Sequence, residues 1–326
     1  MIYILYDKPK SMEDMSFIVS EIEEECIEVY PECRCDSIKK VLHFCNSVYA
    51  KLNNGDVVIC WYDFMGVIIW WLSKIRRKEI EIIALNILLK DKKTIKNAIA
   101  KSLYRLVLKS ESVIATVTTK AYGVELNRIL GLNKDYYILH DPYHETFRIS
   151  SICTEKNNTV FCGGRNGRDW TLMIEVAQNL KNVNFLFVMS SADFEIFKSS
   201  MSSNVTVKTD VPYDNFLKYM CESEIVALPL NTWAPAGLTV LFQAIANDKL
   251  VLTTGTVSTE EYLSVTPELL CYTKEDWLQK IEYYLKRTNE RQYTCNKLKQ
   301  SIEQICSEKN YSQTINRIVL ETKRGE

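Results

Sequence analysis

Two stretches of the chain combine glycine, arginine and small apolar residues in an order suited to a phosphorylated ligand. The first is Val160-Phe161-Cys162-Gly163-Gly164-Arg165-Asn166-Gly167-Arg168-Asp169-Trp170. It reads as a buried strand, a glycine-rich turn and a helix start. Gly163 and Gly164 let backbone approach a ligand with no Cβ in the way. Asp169 stands at the N-cap position of a helix whose first N–H groups suit an anion. Arg165 and Arg168 flank the turn and are able to pair with a diphosphate. The order is neither G-x-G-x-x-G nor a Walker A loop, so the dinucleotide and P-loop readings fail. A plain tight turn with solvated arginines would give the same string.

The second stretch is ALPLNTWAPAGLTVLFQAIA, residues 227–246. A strand ends near Leu230, and a loop leads through Ala236 and Gly237 to a helix that opens at Leu238. The free N–H groups and the positive dipole end of that helix suit a diphosphate. Gln243 falls about 120° round the helix from Gly237. In so apolar a helix its amide needs a partner, either a ligand hydroxyl or another protein group.

Together, GGRNGRDW and PL…PAGLTVLFQAIANDKLVLTT resemble the donor domain of GT-B glycosyltransferases. The likeness is greatest to the retaining family 4, which includes enzymes of bacterial capsule and exopolysaccharide assembly. It covers residues 158–255, while the amino-terminal half matches only in its alternating pattern. The resemblance implies transfer of a sugar from a UDP- or GDP-sugar donor to a saccharide or polyprenol-linked acceptor. It implies that Arg168 or Arg165 meets the diphosphate and that Ala236, Gly237 and Leu238 form the helix start beneath it. Gln243 stands where many members carry a Glu that binds ribose hydroxyls. The turn Val211-Pro212-Tyr213 resembles the segment whose backbone reads the nucleobase. The chain departs from the pattern at both usual Glu positions, which hold Ala234 or Pro235 and Gln243, and no Lys follows Arg168 within a turn. Two further readings therefore stand beside transfer: a non-catalytic partner subunit of this fold, and a nucleotide-sugar epimerase.

No Asp-x-Asp occurs, and the Cys and His do not cluster, so the expected site holds no metal and needs no cofactor. A general base has to come from the amino-terminal half. Asp63 and His140 follow strand-like runs and are the candidates, although capping or turning the chain is the commoner role of such residues. His43 is read as a core residue within a helix.

The elements that must position these groups alternate along the whole chain. Strand-like runs at 2–6, 56–61, 80–84, 112–117 and 136–139 are separated by helical patterns at 12–28, 37–52, 65–77, 93–109 and 120–130. The second half repeats this with strands at 159–162, 184–189, 205–209, 225–230, 251–254 and 269–272. Its helices are expected at 170–180, 194–201, 214–221, 238–247 and in one long stretch from 274. Short continuous apolar strands between helices indicate parallel sheets covered on both faces. The expected fold is α/β, with two Rossmann-like doubly wound domains facing each other across a cleft. The domains are placed at residues 1–150 and 151–305, with 306–326 a helix that crosses back to the first.

Bulk properties narrow the function classes. A net charge of −1 gives no general attraction to nucleic acid. Eleven Cys scattered singly, among them Cys153, read as buried thiols, which points to reducing cytoplasm. The charge is unevenly placed. Residues 64–109 carry eleven Lys and Arg against three acids, while residues 1–36 carry three against ten. Trp70 and Trp71 lie within the basic part, the composition of an interfacial helix. An anionic membrane surface, met peripherally on the inner face, is therefore an expected further partner. A helix packed on a sheet with a solvated basic end is the competing reading.

Overall fold

The computed structural model describes residues 1–89, 94–149, 154–165 and 167–324. They divide into two compact units, one of Met1–Pro142 with Cys306–Glu326, the other of Tyr143–Ile305. Each unit holds a six-stranded, all-parallel sheet.

The first unit runs β1 (Ile2–Leu5), β2 (Cys26–Val29), α1 (Ile38–Tyr49), β3 (Asp56–Cys60), α2 (Asp63–Arg76) and β4 (Ile80–Ala84). It continues with α3 (Ile95–Leu108), β5 (Val113–Val117), α4 (Lys120–Leu130) and β6 (Tyr137–Ile138). The strand order is β2-β1-β3-β4-β5-β6. One expectation fails here. The helical pattern at 12–28 gives instead a short 3-10 turn at Ser16–Val19 and the strand β2. The outer edge of β1 needs a hydrogen-bonding partner, and the β-branched Ile27 and Val29 suit that edge in register with Tyr3 and Leu5. Pairing across the sheet thus outweighs a local helical period.

The second unit runs β7 (Thr159–Gly163), α5 (Trp170–Asn179), β8 (Asn184–Met189), α6 (Ser191–Phe197), β9 (Val205–Thr209) and α7 (Tyr213–Cys221). It continues with β10 (Ile225–Leu228), α8 (Leu238–Ala246), β11 (Leu250–Thr254), α9 (Thr259–Tyr262) and β12 (Leu270–Cys271), then α10 (Lys274–Leu285) and α11 (Thr288–Ile305). The strand order is β12-β11-β10-β7-β8-β9. The expected single stretch from residue 274 is three helices. A capping box between Thr273 and Asp276 starts α10, and the last helix is α12 (Glu308–Arg324).

The helix α12 packs within the first unit. Ile2 and Ile4 of β1, Tyr6 just beyond it, and Val57 and Ile59 of β3 face one side of the sheet. Tyr311, Ile315, Ile318 and Val319, spaced 4, 3 and 1, form one helical stripe and fill that face. Ser312 donates to the Ile18 carbonyl at 2.7 Å and accepts from the Glu21 amide at 2.9 Å. These bonds fix the depth at which the helix sits.

Candidate functional site

In the second unit the chain builds β7, β8 and β9 outward in one direction, then returns to place β10 on the other side of β7. The reversal falls between β7 and β10. Loops diverge there beyond the strand carboxyl ends, and ligands of doubly wound sheets bind in the crevice so formed. The two sequence stretches that suit a phosphorylated ligand end these two strands. They are also joined to each other. Arg168 and Leu230 form an antiparallel bridge. The Asp169 amide donates to the Pro229 carbonyl at 3.1 Å, and the Asn231 amide to the Gly167 carbonyl at 3.0 Å. A Cβ on Gly167 would lie 3.7 Å from that of Ala236, so the two loops touch.

The two glycines of the first turn serve different needs. A Cβ on Gly163 would lie 2.7 Å from the Phe216 ring, so this glycine is demanded by packing between Phe161 and Phe216. Packing alone therefore accounts for a glycine at position 163, whatever its part in ligand approach. Gly164 has φ +127° and admits the Arg168 guanidinium against its backbone, where a side chain would collide with it. Arg168 is buried and donates from Nε to the Gly163 carbonyl at 2.8 Å. Burial lowers its pKa from the ordinary value. It is therefore not the solvated arginine that a plain turn would carry. Arg165 is exposed. Asp210 titrates below its usual range, chiefly through bonds from Ser191 and to a lesser degree through attraction to Arg165. Asn166 lies outside the described residues. Asp169 caps α5 by accepting from the Leu172 amide at 3.0 Å.

Helix α8 begins at Leu238 with Gly237 as N-cap, and no side chain among the described residues caps it. Gly237 takes φ +77°, and a Cβ there would lie 3.1 Å from the Leu228 side chain. The helix start is thus pressed against the end of β10. Ala236 is partly buried and Leu238 is buried. Gln243 is buried and donates from Nε2 to the Tyr213 hydroxyl at 2.9 Å. Tyr213 is 55% exposed, so this bond links a buried amide to the surface. Burial raises the Tyr213 pKa, and the bond from Gln243 opposes that. Val211 is partly buried just before α7. The second unit therefore brings together Gly164, Arg168, Ala236 and Gly237 at the strand reversal, with Gln243 and Tyr213 as a joined pair.

Sequence reasoning missed several polar groups beside this site. Thr254, at the end of β11, accepts from the Leu230 amide at 2.9 Å, and Thr253 donates to the Leu228 carbonyl at 3.0 Å. Ser258 is fully buried, and among the described residues its hydroxyl has no hydrogen-bond partner. The signal was present in Thr253-Thr254-Gly255-Thr256, four small or polar residues closing an apolar strand.

The first unit places Asp63 and His140 in unlike settings. Asp63 is buried at the start of α2. Its Oδ2 accepts from the Leu88 amide at 3.0 Å and the Tyr104 hydroxyl at 2.8 Å, and its Oδ1 from the Phe64 amide at 2.9 Å. Burial pushes its carboxyl up to about 6 against the pull of these bonds. A group enclosed in this way holds the chain after β4 onto α2 and α3. This enclosed setting is the one in which any action of Asp63 as a base would have to occur. His140 is partly exposed, two residues beyond β6. Its neighbour Asp141 accepts from Asn86 Nδ2 at 2.8 Å. Burial raises Asp141 to about 6, while Asn86 and His140 pull it back. His43, read as core, is exposed on α1.

The basic stretch is also resolved in part. Trp70 is buried with Lys74 over its ring, and Trp71 is 37% exposed. Trp70 is therefore a core residue and not an interfacial one. Lys90, Lys92 and Lys93 lie outside the described residues, as does Cys153. Among the described residues no helix is long and apolar enough to cross a membrane, and no group of three His, Cys, Asp or Glu is placed to hold a metal.

The fold is that of GT-B glycosyltransferases: two parallel-sheet α/β domains of six strands each. The chain is similar to Anabaena HepE, solved with UDP, at 12% identity and a TM-score of 0.67 over 100% of both chains. It is similar to a mutant of S. aureus TarM, solved with fondaparinux, alpha-GlcNAc-glycerol and UDP, at 13% identity and a TM-score of 0.62. That match covers 84% of this chain and 57% of the TarM chain, so this chain spans little more than half of TarM. A trehalose 6-phosphate synthase from Burkholderia multivorans matches at 8% identity and a TM-score of 0.65, over 87% of this chain and 76% of its own. No family model and no curated protein matches the sequence.

Proposed function

We propose that the chain is a glycosyltransferase that moves a sugar from a UDP- or GDP-sugar to a saccharide or lipid-linked acceptor. The observation that carries this is the strand reversal between β7 and β10, where the turn holding the buried Arg168 touches, through Gly167 and Ala236, the loop that leads to the glycine start of α8. A fixed cation and a helix N-terminus at one crevice form a diphosphate site. UDP in the structures of HepE and TarM supports the same ligand class.

In this reading Arg168 neutralises the diphosphate, with Arg165 at the outer side of the turn. Gly164 gives Arg168 its place, and Ala236, Gly237 and Leu238 present the helix start. Val211 and Tyr213 border the nucleobase, and Gln243 faces the ribose. Charge neutralisation by arginine and helix dipole needs no divalent cation. His140, oriented beside Asp141, is the base on the acceptor side. The setting is assembly of a bacterial surface polysaccharide, with the first unit meeting anionic lipid through α3. Ile95, Ile99 and Leu106 are exposed on that helix among Lys96, Lys101 and Arg105.

Gln243 favours a second reading. Its amide already bonds to Tyr213, and no Glu stands at either position where the resembled family carries one. A chain that binds the donor without turning it over would be a non-catalytic partner subunit. Titration with UDP and GDP, followed by release of nucleotide from a panel of UDP- and GDP-sugars, separates the two. Transfer predicts binding and turnover, and the partner reading predicts binding alone. Absence of nucleotide binding would remove both.

A further inference from the structure

Among the described residues, three Lys and Arg side chains are buried: Arg168, Lys249 and Arg291. The first lies at the donor crevice. The other two line one cavity of about 310 Å³ in the second unit. Lys249 directly precedes β11, and Arg291 stands in the first turn of α11. Glu224, just before β10, and Glu155, four residues before β7, complete the setting. The cavity therefore sits at the amino ends of the strands, away from the crevice at their carboxyl ends.

Both buried cations are brought onto the same carboxylate. Lys249 Nζ donates to Glu155 Oε1 at 2.6 Å, and Arg291 Nη2 donates to Glu155 Oε2 at 3.4 Å. Arg291 is held from its other side by Glu224 at 2.9 Å and by the Tyr284 carbonyl at 3.3 Å. Glu224 in turn accepts from the Asn158 amide at 2.5 Å. Lys249 lacks such a second support. Among the described residues, Glu155 is the one acceptor for its three N–H groups. Yet the Glu155 side chain is 41% exposed, while that of Lys249 is 7% exposed. A buried ammonium thus depends on a carboxylate that solvent reaches.

Burying a cation carries a large desolvation cost, and apolar side chains of similar size would serve stability as well. Two such cations on one cavity wall suit a charged ligand better than they suit a core. With the Glu155 side chain turned out, Lys249, Arg291, Lys299 and Arg148 face only Glu224 and Asp248 in this cluster of ion pairs. The position so opened takes an oxyanion, and each of its two oxygens has a donor waiting. Gln292 and Asn296 stand four residues apart on α11 at the exposed rim, where their amides suit hydroxyl or carbonyl groups.

We infer that this cavity binds a small hydroxylated carboxylate, whose head group takes the place of the Glu155 side chain on Lys249 and Arg291. Glu155 supplies from the chain itself the group that the ligand brings. As a tethered competitor it holds wild-type affinity low, because a short tether gives an effective concentration of roughly millimolar. The site is separate from the donor crevice and does not rest on the sugar-transfer reading.

The test is calorimetric titration of the full chain with D-glucuronate, and with glucose as the neutral control, at low salt. Glu155→Gln should bind glucuronate at least tenfold more tightly than the wild type does. Glucose should bind that variant at least tenfold more weakly than glucuronate. Adding Lys249→Met, which removes the buried charge and keeps the apolar bulk, should abolish the gain. Glu155→Asp keeps the charge but shortens its reach, and it should shift glucuronate binding in the same direction if Glu155→Gln misfolds. No gain in either Glu155 variant, equal binding of glucose, or a gain that survives Lys249→Met would each overturn the inference.

Discussion

Arg168 donates from Nε to the Gly163 carbonyl at 2.8 Å, and its guanidinium lies where a side chain on Gly164 would have to be. One residue's cation is therefore seated by another residue's lack of a Cβ. Arg168→Ala should weaken UDP or GDP binding by about 1.5–3 kcal/mol, the scale of charge-assisted hydrogen bonds. Gly164→Ala should cause a similar loss with every charge retained. At φ +127° it is also strained and should cost roughly 1–3 kcal/mol of stability. Calorimetry and thermal unfolding on both variants check this. Unchanged nucleotide affinity in folded Arg168→Ala would remove Arg168 from the site.

The Gln243–Tyr213 bond can be divided into structural and binding parts. Tyr213→Phe removes one partner of a buried amide and should lower stability by about 1 kcal/mol without weakening nucleotide binding. Gln243→Ala should lower both. Equal UDP affinity in the wild type and Gln243→Ala would make the glutamine a structural residue alone.

Asp63 gives a pH signature in stability. Its carboxyl is raised to about 6 in the folded chain, from 3.8 when solvated. Between these values the unfolded chain has released a proton that the folded chain still holds. Stability therefore falls as pH rises from about 4 to 6, and is level above. About two units corresponds to roughly 3 kcal/mol. Asp63→Asn removes this titration. The deficit of Asp63→Asn relative to the wild type should accordingly shrink between pH 4 and pH 7. A deficit constant across that range, by denaturant unfolding, would contradict the assignment.

Contact with anionic lipid should depend on α3. Replacing Lys96, Lys101 and Arg105 with Glu should reduce co-sedimentation with anionic vesicles at low salt, by about 1 kcal/mol per residue engaged, and high salt should do the same to the wild type. Trp71→Ala should matter less, and buried Trp70 is expected to affect folding. Wild-type indifference to anionic vesicles at low salt would indicate a soluble acceptor.

Nucleotide release from the donor should survive EDTA. Loss of activity on chelation, restored by Mn²⁺ or Mg²⁺, would show that Arg168 and the α8 start do not suffice for the diphosphate.

Much of this was legible in the sequence, because it depends on neighbours along the chain. The short apolar strands between helical periods specify parallel α/β units, and Asp169 marks a helix start whose capping bond spans three residues. Glycine-rich turns after strands also announce themselves. What the sequence left open depends on residues far apart in the chain. The edge of β1 drew Cys26–Val29 out of a helical pattern into a strand. Residues 308–324 joined the first sheet because its face lacked an apolar stripe. The order of β7 and β10, and with it the meeting of the turn holding Arg168 with the loop before α8, follows from which strand edge remained free when the chain turned back. Burial separated Asp63 from His140 and Trp70 from Trp71, pairs whose members the sequence could not rank. Composition supplies the groups and local spacing supplies the elements. Only packing decides which polar group is sealed into the scaffold and which is left to meet a ligand.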